Sequence, residues 1–464
     1  MTWGQDFDLM ITMVLKYYQL ILGCQMNKSD AERVASFLES IGFVQTFDEK
    51  EANLICAQAC SVRQSAVDRI KGRVDRWRAE QKRRPASNFL MTALTGCVLP
   101  ADRKIFEKQF DLVCETNHLR QELVQRINGL TTVPTKRLAG KNSVEITDDD
   151  FFALAPKYSS KFRSYIPIQT GCNNFCTYCA VPYTKGPEQY RPYTKIVQEV
   201  KNLVKQGYKE ITLLGQNVNT YCDQVKSQKV QFADLLKLIN DIHGDFWIRF
   251  ISSNPWDMSD EIIKAVAECQ KVCEYVHLPL QSGSDKILKK MNRRYSQKEY
   301  LTLVDKIRAQ IPNVAVTCDI IVGFPCETEK DFLETAKVME KVKFDMAYIA
   351  RYSPRPGTVA ARFMKDNVST KEKKRREREL ERILRQSALE RNQEYVGREV
   401  EALVEKVKSN PPTAEKVKSS SQKSKVLFGK TRTFKTVKLM SDRDLTGQII
   451  KVKITKIREF GLEG

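Results

Sequence analysis

Gly171-Cys172-Asn173-Asn174-Phe175-Cys176-Thr177-Tyr178-Cys179 is the stretch of sequence that decides how this chain folds, because it places three cysteines in one short loop. No fourth cysteine or histidine follows closely, and the next histidine is His243. A structural zinc site needs a closed set of four ligands. A cubane iron–sulfur cluster held by only three thiolates keeps one iron open for an exchangeable ligand. The loop therefore predicts a [4Fe-4S] cluster with an open iron, and a zinc knuckle completed from elsewhere in the chain is the alternative.

Length and composition indicate a folded protein of about three domains. The chain has 464 residues, of which 42% are hydrophobic, and its 13 cysteines are neither dense nor regularly spaced. A secreted disulfide scaffold is therefore not expected, and a reducing, cytosolic setting fits better. The longest early apolar run, from Leu9 to Leu15, is too short to span a bilayer and follows acidic residues where a signal peptide is basic. We expect neither export nor a membrane span.

The charge of the chain is strongly positive and unevenly distributed. The formal net charge is +20, from 77 basic and 57 acidic residues. The last 70 residues, from Tyr395 to Gly464, hold 16 Lys/Arg and 8 Asp/Glu, a net charge of +8. A compact basic module favours a polyanionic partner, nucleic acid above all, over a surface adapted only for solubility. The charged stretch from Lys371 to Glu394 is interpreted instead as an amphipathic helix with a solvated face.

The first domain, residues 15–134, predicts an open parallel sheet with helices between its strands. Ser29-Asp30-Ala31-Glu32 has the pattern of a capping box and predicts a helix that begins there and ends near Gly42. Apolar runs predict strands at Tyr17–Leu22, Ala52–Ala57 and Phe89–Leu94.

Three further cysteines follow these three strands. They are Cys24, Cys60 and Cys97, at intervals of 36 and 37 residues. Because the carboxyl ends of parallel strands meet at one edge of a sheet, we expect their thiols to converge. The sequence therefore predicts a second three-thiolate cluster site, and three unrelated buried cysteines are the alternative.

The middle of the chain, residues 157–392, predicts a partial parallel barrel of six strand–helix units. Polar loops follow the strands and are expected at one end of the barrel. The predicted strands are Tyr165–Gln169, Glu210–Leu214, Trp247–Ile251, Tyr275–Leu278, Val314–Ile321 and Met346–Arg351. The loops after the second to fifth strands are Gly215–Asn219, Ser252–Asn254, Pro279–Ser284 and Gly323–Pro325.

The last segment, residues 395–462, predicts a small β-barrel in which basic and apolar residues alternate. A polar loop rich in Ser, Pro and Lys interrupts it after the first strand. We expect basic side chains on these strands to contact phosphates, namely Lys430, Arg432, Lys451 and Lys453. The predicted strands are Glu399–Lys408, Val426–Thr431, Thr436–Leu439 and Ile449–Ile457.

Four motifs, taken in order along the chain, resemble those of one protein family. They are Leu22-Gly23-Cys24-Gln25-Met26-Asn27, the loop Gly171–Cys179, Leu214-Gly215-Gln216-Asn217-Val218-Asn219 and Tyr352-Ser353-Pro354-Arg355-Pro356-Gly357-Thr358. Together they resemble the radical S-adenosylmethionine (SAM) methylthiotransferases, in particular the MiaB-type branch that acts on tRNA. The last segment is similar to a TRAM domain, whose role in the family is tRNA binding. The resemblance covers nearly the whole chain and implies an N-terminal methylthiotransferase domain, a radical SAM barrel and a C-terminal TRAM barrel.

The resemblance also implies an activity, which is methylthiolation at C2 of N6-isopentenyladenosine at tRNA position 37, beside the anticodon. That C–H bond is neither acidic nor electrophilic, so a cofactor has to supply a radical. By resemblance, the cluster at Cys172, Cys176 and Cys179 binds SAM, the N-terminal cysteine cluster supplies sulfur, and a second SAM supplies the methyl group. A monomer that receives electrons from a donor such as flavodoxin or ferredoxin is implied as well.

Five polar residues at strand ends are candidates for binding SAM. Gln216 and Asn217 replace a common glycine–glutamate pair in the loop that meets the methionine part of the cofactor in radical enzymes. Ser253, Gln281 and Arg351 are further candidates, and each is equally explained as a loop cap. One histidine and six further cysteines are interpreted as structural residues, namely His277, Cys56, Cys114, Cys222, Cys269, Cys273 and Cys318.

The sequence departs from the family pattern at several positions. Gln58-Ala59 precede Cys60 where Asn-Thr is usual, which affects hydrogen bonds near the predicted N-terminal cluster. Pro187 and Gln189 occupy positions that are usually arginine, and Cys326 stands where glycine is expected. None of these departures removes a predicted cluster ligand.

Two alternative functions remain open. An enzyme of the same chemical class would modify threonylcarbamoyladenosine in tRNA or an aspartate of a ribosomal protein, and Gln25-Met26-Asn27 and Gln216-Asn217-Val218-Asn219 argue against both substrates. A protein of another class would bind tRNA as an iron–sulfur sensor or a zinc protein without turnover. The selected tRNAs and the source of sulfur that restores the N-terminal cluster are not encoded in any motif.

Overall fold

The computed structural model describes residues 14–85, 88–130, 151–225, 228–408 and 425–464. The chain divides into two compact units, Met1–Ser159 and Ser160–Gly464. Most of the apolar run Leu9–Leu15, the end of the predicted first domain and the Ser/Pro/Lys-rich loop lie outside the described residues. No helix within the described ranges has the length and apolar character needed to cross a membrane.

The first unit contains the predicted open parallel sheet; it has five strands in the order β2-β1-β3-β4-β5, of which the sequence predicted β1, β3 and β4. Successive residues of β3 enter two different apolar clusters, one packed against α2 and the other against α1. Helices therefore cover both faces, which explains why β3 is buried along its whole length. The elements are β1 (Lys16–Ile21), α1 (Gln25–Ser40), β2 (Val44–Gln45), β3 (Leu54–Cys60), α2 (Gln64–Arg83), β4 (Met91–Cys97), α3 (Pro100–Phe106), β5 (Leu112–Val113) and α4 (Leu119–Leu130).

The start of α1 differs from the prediction. The helix begins at Gln25 with Cys24 as its N-cap, so the predicted capping box at Ser29 is wrong. Ser29 and Glu32 are buried within the helix, where Ser29 bonds to the next turn and Glu32 bonds to a distant residue. The Arg33 guanidinium donates to Ser29 Oγ at 2.9 Å, and Glu32 accepts from the amide of Ser159 at 2.9 Å. The strands β3 and β4 also extend further than predicted, so that Cys60 and Cys97 are their last residues.

The second unit begins with the predicted partial barrel of six parallel strands. The strands form two three-stranded sheets, β12-β9-β6 and β13-β14-β15, and a parallel bridge between Ile248 and Val272 joins β12 to the segment that enters β13. The barrel strands are β6 (Arg163–Pro167), β9 (Glu210–Leu214), β12 (Trp247–Phe250), β13 (Tyr275–His277), β14 (Ala315–Val322) and β15 (Met346–Arg351).

Helices and short hairpins connect the barrel strands. The short strands are β7 (Gln169–Thr170), β8 (Gln189–Tyr190), β10 (Cys222–Val225) and β11 (Gln228–Gln231). The helices are α5 (Val181–Lys185), α6 (Tyr193–Lys205), α7 (Phe232–Asn240), α8 (Asp260–Glu268), α9 (Asp285–Lys290), α10 (Gln297–Gln310), α11 (Glu329–Val342), α12 (Val359–Phe363) and α13 (Thr370–Gln393).

The chain ends in a six-stranded sheet with the order β19-β16-β17-β18-β21-β20, called here the C-terminal sheet. Strands from both ends of the sheet share one apolar cluster, so the sheet curls around its own core. The predicted last strand is broken into two, because Ile454 leaves the ladder and its amide donates to Arg398 O at 2.9 Å. The strands are β16 (Glu399–Lys408), β17 (Lys425–Thr431), β18 (Thr436–Ser441), β19 (Ile449–Lys453), β20 (Lys456–Arg458) and β21 (Gly461–Glu463).

The C-terminal sheet packs against the amino ends of the barrel strands. Arg249 of β12 is fully buried, pairs with Glu210 at 2.7 Å and donates to Thr431 O and Arg432 O, each at 2.6 Å. The turn between β17 and β18 places Phe434 over the Arg249 guanidinium and beside Tyr275. The barrel is therefore closed at this end by the C-terminal sheet.

Arg432 does not have the predicted role in phosphate contact. Its guanidinium pairs with Glu274 at 2.7 Å and donates to Val272 O at 2.7 Å, so it is used to dock the C-terminal sheet. Lys430 is likewise held by Thr436 at 2.8 Å, whereas Lys451 and Lys453 are exposed.

Candidate functional site

The three-cysteine loop is held at the root of a short hairpin. It lies between β7 and α5, and the antiparallel strands β7 and β8 close its base. Gly171 has φ +77°, and a Cβ at this position would lie 1.9 Å from Pro187 O. The Cys172 amide donates to Gly186 O at 3.2 Å, and Gly186 is the residue before Pro187 on the β8 side of the hairpin. The loop therefore needs glycine at residue 171 to enter its turn.

Two of the three thiols of this loop have raised pKa values. Burial raises the pKa of Cys179 to about 12; the amide of Val181 opposes the increase, and Cys176 and Cys172 add to it. Burial also raises the pKa of Cys172, and Cys176 again contributes. Cys172 and Cys179 are therefore neutral thiols near pH 7, and binding a metal would require them to release protons.

A second segment, which the sequence did not predict as part of the site, forms hydrogen bonds with this loop. It is Met291–Tyr295, directly after α9. Asn292 donates to the carbonyl oxygens of Asn174 and Phe175 at 3.1 Å each, and the Thr177 amide donates to Met291 O at 3.1 Å. The Arg293 guanidinium donates to Cys176 Sγ at 3.5 Å. No periodicity marks this segment, and its partners lie over a hundred residues away, so only the fold reveals it.

Four of the five predicted SAM-binding residues carry buried polar atoms without a hydrogen-bond partner among the described residues. They stand at the carboxyl ends of three neighbouring strands, β9, β12 and β13. A buried polar atom left unpaired costs stability unless a ligand or water satisfies it. The atoms are Gln216 Oε1, Asn217 Oδ1, Ser253 Oγ and Gln281 Oε1, and Asn219 Oδ1 and Asn254 Oδ1 in the same loops share this property.

Hydrogen bonds fix the shape of these strand-end loops. The Val218 amide donates to Ser252 O at 3.2 Å, which joins the loops after β9 and β12. Asn217 Nδ2 donates to Asp257 at 2.6 Å. Ser252 and Gln281 have φ of +76° and +65°, a strained conformation for residues other than glycine that is concentrated at functional sites. The loops are thus rigid, strained and lined by unsatisfied oxygens, as a polar ligand site requires.

Arg351 has a different environment. It is the last residue of β15, its side chain is exposed, and its guanidinium pairs with Glu377 of α13 at 3.1 Å. It therefore does not share the unsatisfied character of the other four candidates. His277 is buried with both ring nitrogens hydrogen-bonded, to Thr317 at 3.0 Å and Asp319 at 3.3 Å, as expected for a structural histidine.

The structure also brings the N-terminal cysteines together. Cys60 and Cys97 are directly paired at the carboxyl ends of β3 and β4. Cys24 caps α1, and a Cβ on Gly23 would lie 2.9 Å from Cys60 Cβ. Burial raises the pKa of Cys60, and the adjacent Cys24 adds to the increase. This is the convergence that the second cluster site requires, while the role of the thiols as ligands stays a prediction.

Asn27 organises this second site. Its Nδ2 donates to Leu22 O at 2.7 Å and to Ala59 O at 2.6 Å, and its Oδ1 lies 3.7 Å from Cys97 Sγ. One buried amide thus spans the three segments that carry the cysteines. Beside it, both polar atoms of the Gln58 side chain and Ser61 Oγ are buried without a partner in the described chain.

These donors fit iron–sulfur clusters better than single metal ions. No three His, Cys, Asp or Glu side chains in the described ranges converge closely enough to hold one metal ion. A cubane takes each thiolate at a different iron, so its ligands stand further apart than those of a single ion. Each of the two cysteine sets supplies three thiols, and buried side-chain groups of Gln58 and Ser61 without a partner in the described chain flank Cys60 in sequence. The residues present therefore fit two clusters, each with an open iron.

The structure shows the surroundings of the residues that depart from the family pattern. Cys326 has φ +66°, a conformation that favours glycine, and this explains why glycine is usual there. Pro187 contributes the carbonyl that packs on Gly171, and Gln189 is an exposed residue of β8. Gln58 fills the buried place of the usual asparagine beside Cys60.

Two family descriptions match this chain. Residues 166–339 match the Radical SAM superfamily, and residues 16–115 match the Uncharacterized protein family UPF0004. The first match covers most of the partial barrel and the Cys172 loop. The second covers the parallel sheet and all three N-terminal cysteines.

Curated relatives match over almost the whole length. The tRNA-2-methylthio-N(6)-dimethylallyladenosine synthase of Syntrophomonas wolfei is 41% identical, over 97% of this chain and 97% of the relative. The enzyme of the same name from Thermoanaerobacter pseudethanolicus is 40% identical, over 97% of this chain and 92% of the relative. That from Clostridium novyi is 38% identical, over 95% and 94%.

A solved structure shares the fold. The radical S-adenosylmethionine methyltransferase TsrM from Kitasatospora setae superposes with a TM-score of 0.52 at 13% identity, covering 75% of each chain. At this identity the likeness shows the α/β fold alone.

Proposed function

The chain belongs to the tRNA-2-methylthio-N(6)-dimethylallyladenosine synthase family, and from that premise we propose that it attaches a methylthio group to C2 of N6-isopentenyladenosine at position 37 of tRNA. It is a radical SAM methylthiotransferase that uses [4Fe-4S] clusters and SAM. The observation that supports the assignment of sites is the pair of three-cysteine sets, one in a single loop of the second unit and one at three adjacent strand ends of the first unit.

The cofactors supply the difficult chemistry, since bound SAM at one cluster provides a radical that removes an unactivated hydrogen and the other cluster provides sulfur. The protein supplies positions. Cys172, Cys176 and Cys179 hold the first cluster and Cys24, Cys60 and Cys97 the second. The unsatisfied oxygens at the ends of β9, β12 and β13 accept hydrogen bonds from the ammonium and ribose groups of SAM. Arg351 remains a predicted contact without support from its ion pair.

The C-terminal sheet is proposed as a TRAM-type tRNA-binding barrel. Its curled shape, its single apolar core and the exposed amines of Lys451 and Lys453 support this assignment. The target base has to leave the stacked anticodon loop, which costs a few kcal/mol. Contacts between basic side chains and phosphates offset that cost and make binding sensitive to salt. We further propose a cytosolic monomer that is reduced by a flavodoxin or ferredoxin.

Anaerobic reconstitution tests the two cluster sites. We expect about eight irons per chain, and about four after alanine substitution of either cysteine set. Cys222→Ala is the matched control, because Cys222 is a partly buried cysteine of the second unit that belongs to neither cysteine set. SAM and a reductant should release deoxyadenosine. About four irons in the unaltered protein, or no deoxyadenosine, would favour the iron–sulfur sensor instead.

Mass spectrometry of tRNA nucleosides tests the substrate. A strain that lacks the gene should lose 2-methylthio-N6-isopentenyladenosine and accumulate N6-isopentenyladenosine, and the gene in trans should reverse both changes. Loss of the methylthio derivative of threonylcarbamoyladenosine, or of a methylthioaspartate in a ribosomal protein, would assign the other substrate class.

A further inference from the structure

Arg293 is an arginine without a carboxylate partner, placed against the proposed SAM cluster. It follows Asn292 in the segment that braces the Cys172 loop. Its Nη1 donates to Cys176 Sγ at 3.5 Å, its Nε to Tyr295 Oη at 3.0 Å and its Nη2 to Pro279 O at 3.1 Å. None of these partners within the described chain is a carboxylate. Other arginines of low exposure in the described ranges, such as Arg376 and Arg432, pair with glutamate.

The position of the guanidinium is fixed by its surroundings. Tyr295 is buried and its hydroxyl donates to the carbonyl oxygens of Pro279 and Leu280, so it presents a fixed acceptor to Arg293. The guanidinium also lies 5.1 Å from the Tyr295 ring centroid. Arginine stays charged at any accessible pH. A permanent cation is therefore aimed at one sulfur of the loop.

We propose that Arg293 is the counter-charge of the SAM cluster and raises its reduction potential. This inference rests on the proposed role of Cys176 as a ligand. A cubane with three thiolates is an anion, and one-electron reduction makes it more negative. A cation that donates a hydrogen bond to a ligand sulfur stabilises the reduced form more than the oxidised form. Arg293 is thus a positioning residue that favours acceptance of the electron from a low-potential donor.

The test measures the potential of this one cluster. The full-length background variant Cys24→Ala/Cys60→Ala/Cys97→Ala is reconstituted anaerobically and should bind about four irons. Electron paramagnetic resonance then follows a redox titration with titanium(III) citrate, without SAM. In this background we compare Arg293→Met and Arg293→Gln, which remove the charge, with Arg293→Lys, which keeps it. Arg294→Met is the matched control, because Arg294 is the exposed next residue.

We expect the neutral variants to shift the potential to more negative values, and the Lys and Arg294→Met variants to stay near the background value. Equal potentials in Arg293→Met, Arg293→Gln and Arg294→Met would overturn the proposal. If neither neutral variant binds iron but Arg293→Lys does, a cation is required for assembly and the proposal holds. If Lys fails as well, the role is geometric and the proposal is wrong. A background variant without iron would instead refute the ligand role of the Cys172 loop.

Discussion

At the scale of single residues, the N-terminal cysteine site depends most on Asn27. Its one amide group spans the segments that carry Cys24, Cys60 and Cys97. Cysteines from three separate strands have no local reason to stay aligned, since each is reached through its own loop. A buried side chain that hydrogen-bonds to two of these segments removes that freedom. The site is therefore built by an amide that is not itself a predicted ligand.

Asn27→Ala is predicted to abolish the N-terminal cluster. It leaves Leu22 O and Ala59 O without the amide donor, which lowers the free energy of unfolding by about 2 kcal/mol. Iron content after reconstitution should fall from about eight to about four per chain. Asn53→Ala is the control, because Asn53 is also buried and bridges Lys16 N and Phe89 O at the opposite strand ends. It should lower stability similarly and keep all the iron; equal iron loss in both variants would contradict the prediction.

Cys326→Gly is predicted to stabilise the protein. Cys326 has φ +66°, a conformation that costs most residues about 1–2 kcal/mol relative to glycine. The greater entropy of glycine in the unfolded chain offsets part of this gain, so the net effect is about 0.5–1 kcal/mol. Calorimetry should show a higher unfolding temperature for the second unit. Cys326→Ala keeps the strained φ and removes only the thiol, and a similar increase in that variant would argue against backbone strain as the cause.

At the scale of elements, the β7–β8 hairpin determines the geometry of the loop proposed to hold the SAM cluster. Gly171 and Gly186 face each other across it, and both have positive φ, +77° and +73°. Their surroundings differ. A Cβ on Gly171 would overlap Pro187 O, whereas a Cβ on Gly186 would have no neighbour within 4 Å.

Gly171→Ala is predicted to prevent assembly of the SAM cluster, because the two hairpin strands have to separate to admit the methyl group. Gly186→Ala carries the same unfavourable φ without the collision. It should cost about 1–2 kcal/mol of stability and keep both clusters. The measurements are iron content and the yield of deoxyadenosine. Retention of about eight irons in Gly171→Ala would show that the hairpin does not position the cysteines.

The sequence predicts elements well where the signal is local. All six barrel strands lie where apolar runs placed them, within a few residues, and the polar loops follow at the expected ends. The start of α1 was missed because Ser29 and Glu32 imitate a capping box, whereas Ser29 bonds to Arg33 within the helix and Glu32 bonds to the distant Ser159. The segment Met291–Tyr295 and the docking role of Arg432 were missed because their partners are distant in sequence. Arg432 pairs with a glutamate 158 residues away, and no local pattern reports such a pair.

At the scale of the second unit as a whole, the two ends of the barrel have different tasks. The carboxyl ends of the strands carry the strained, unsatisfied loops proposed to bind SAM. The amino ends are closed by the C-terminal sheet through buried charge pairs, such as Arg249 with Glu210 and Lys435 with Asp345. A rigid junction of this kind keeps the proposed tRNA-binding surface at a fixed position relative to the barrel.

Arg249→Met tests that junction. Both members of the Arg249–Glu210 pair are almost completely buried, so removing the cation leaves a buried carboxylate whose remaining ion-pair partner among the described residues is Arg163, 3.7 Å away. Breaking a buried pair in this way costs about 3 kcal/mol or more. Two hydrogen bonds to the β17–β18 turn are lost as well. We expect calorimetry to show a lower unfolding temperature and limited proteolysis to cut earlier between α13 and β16.

Two further variants distinguish the effect of breaking the buried ion pair from the effect of removing one positive charge. Arg249→Met/Glu210→Leu removes both charges together and should recover much of the lost stability, because no isolated carboxylate remains. Lys209→Met removes a cation from an exposed pair with Asp245 at the same end of the barrel and should change stability by less than about 0.5 kcal/mol. If Arg249→Met behaved like Lys209→Met, the C-terminal sheet would be held mainly by the apolar contact of its Leu403 with Trp247 and Cys273, and the buried charges would be dispensable for docking.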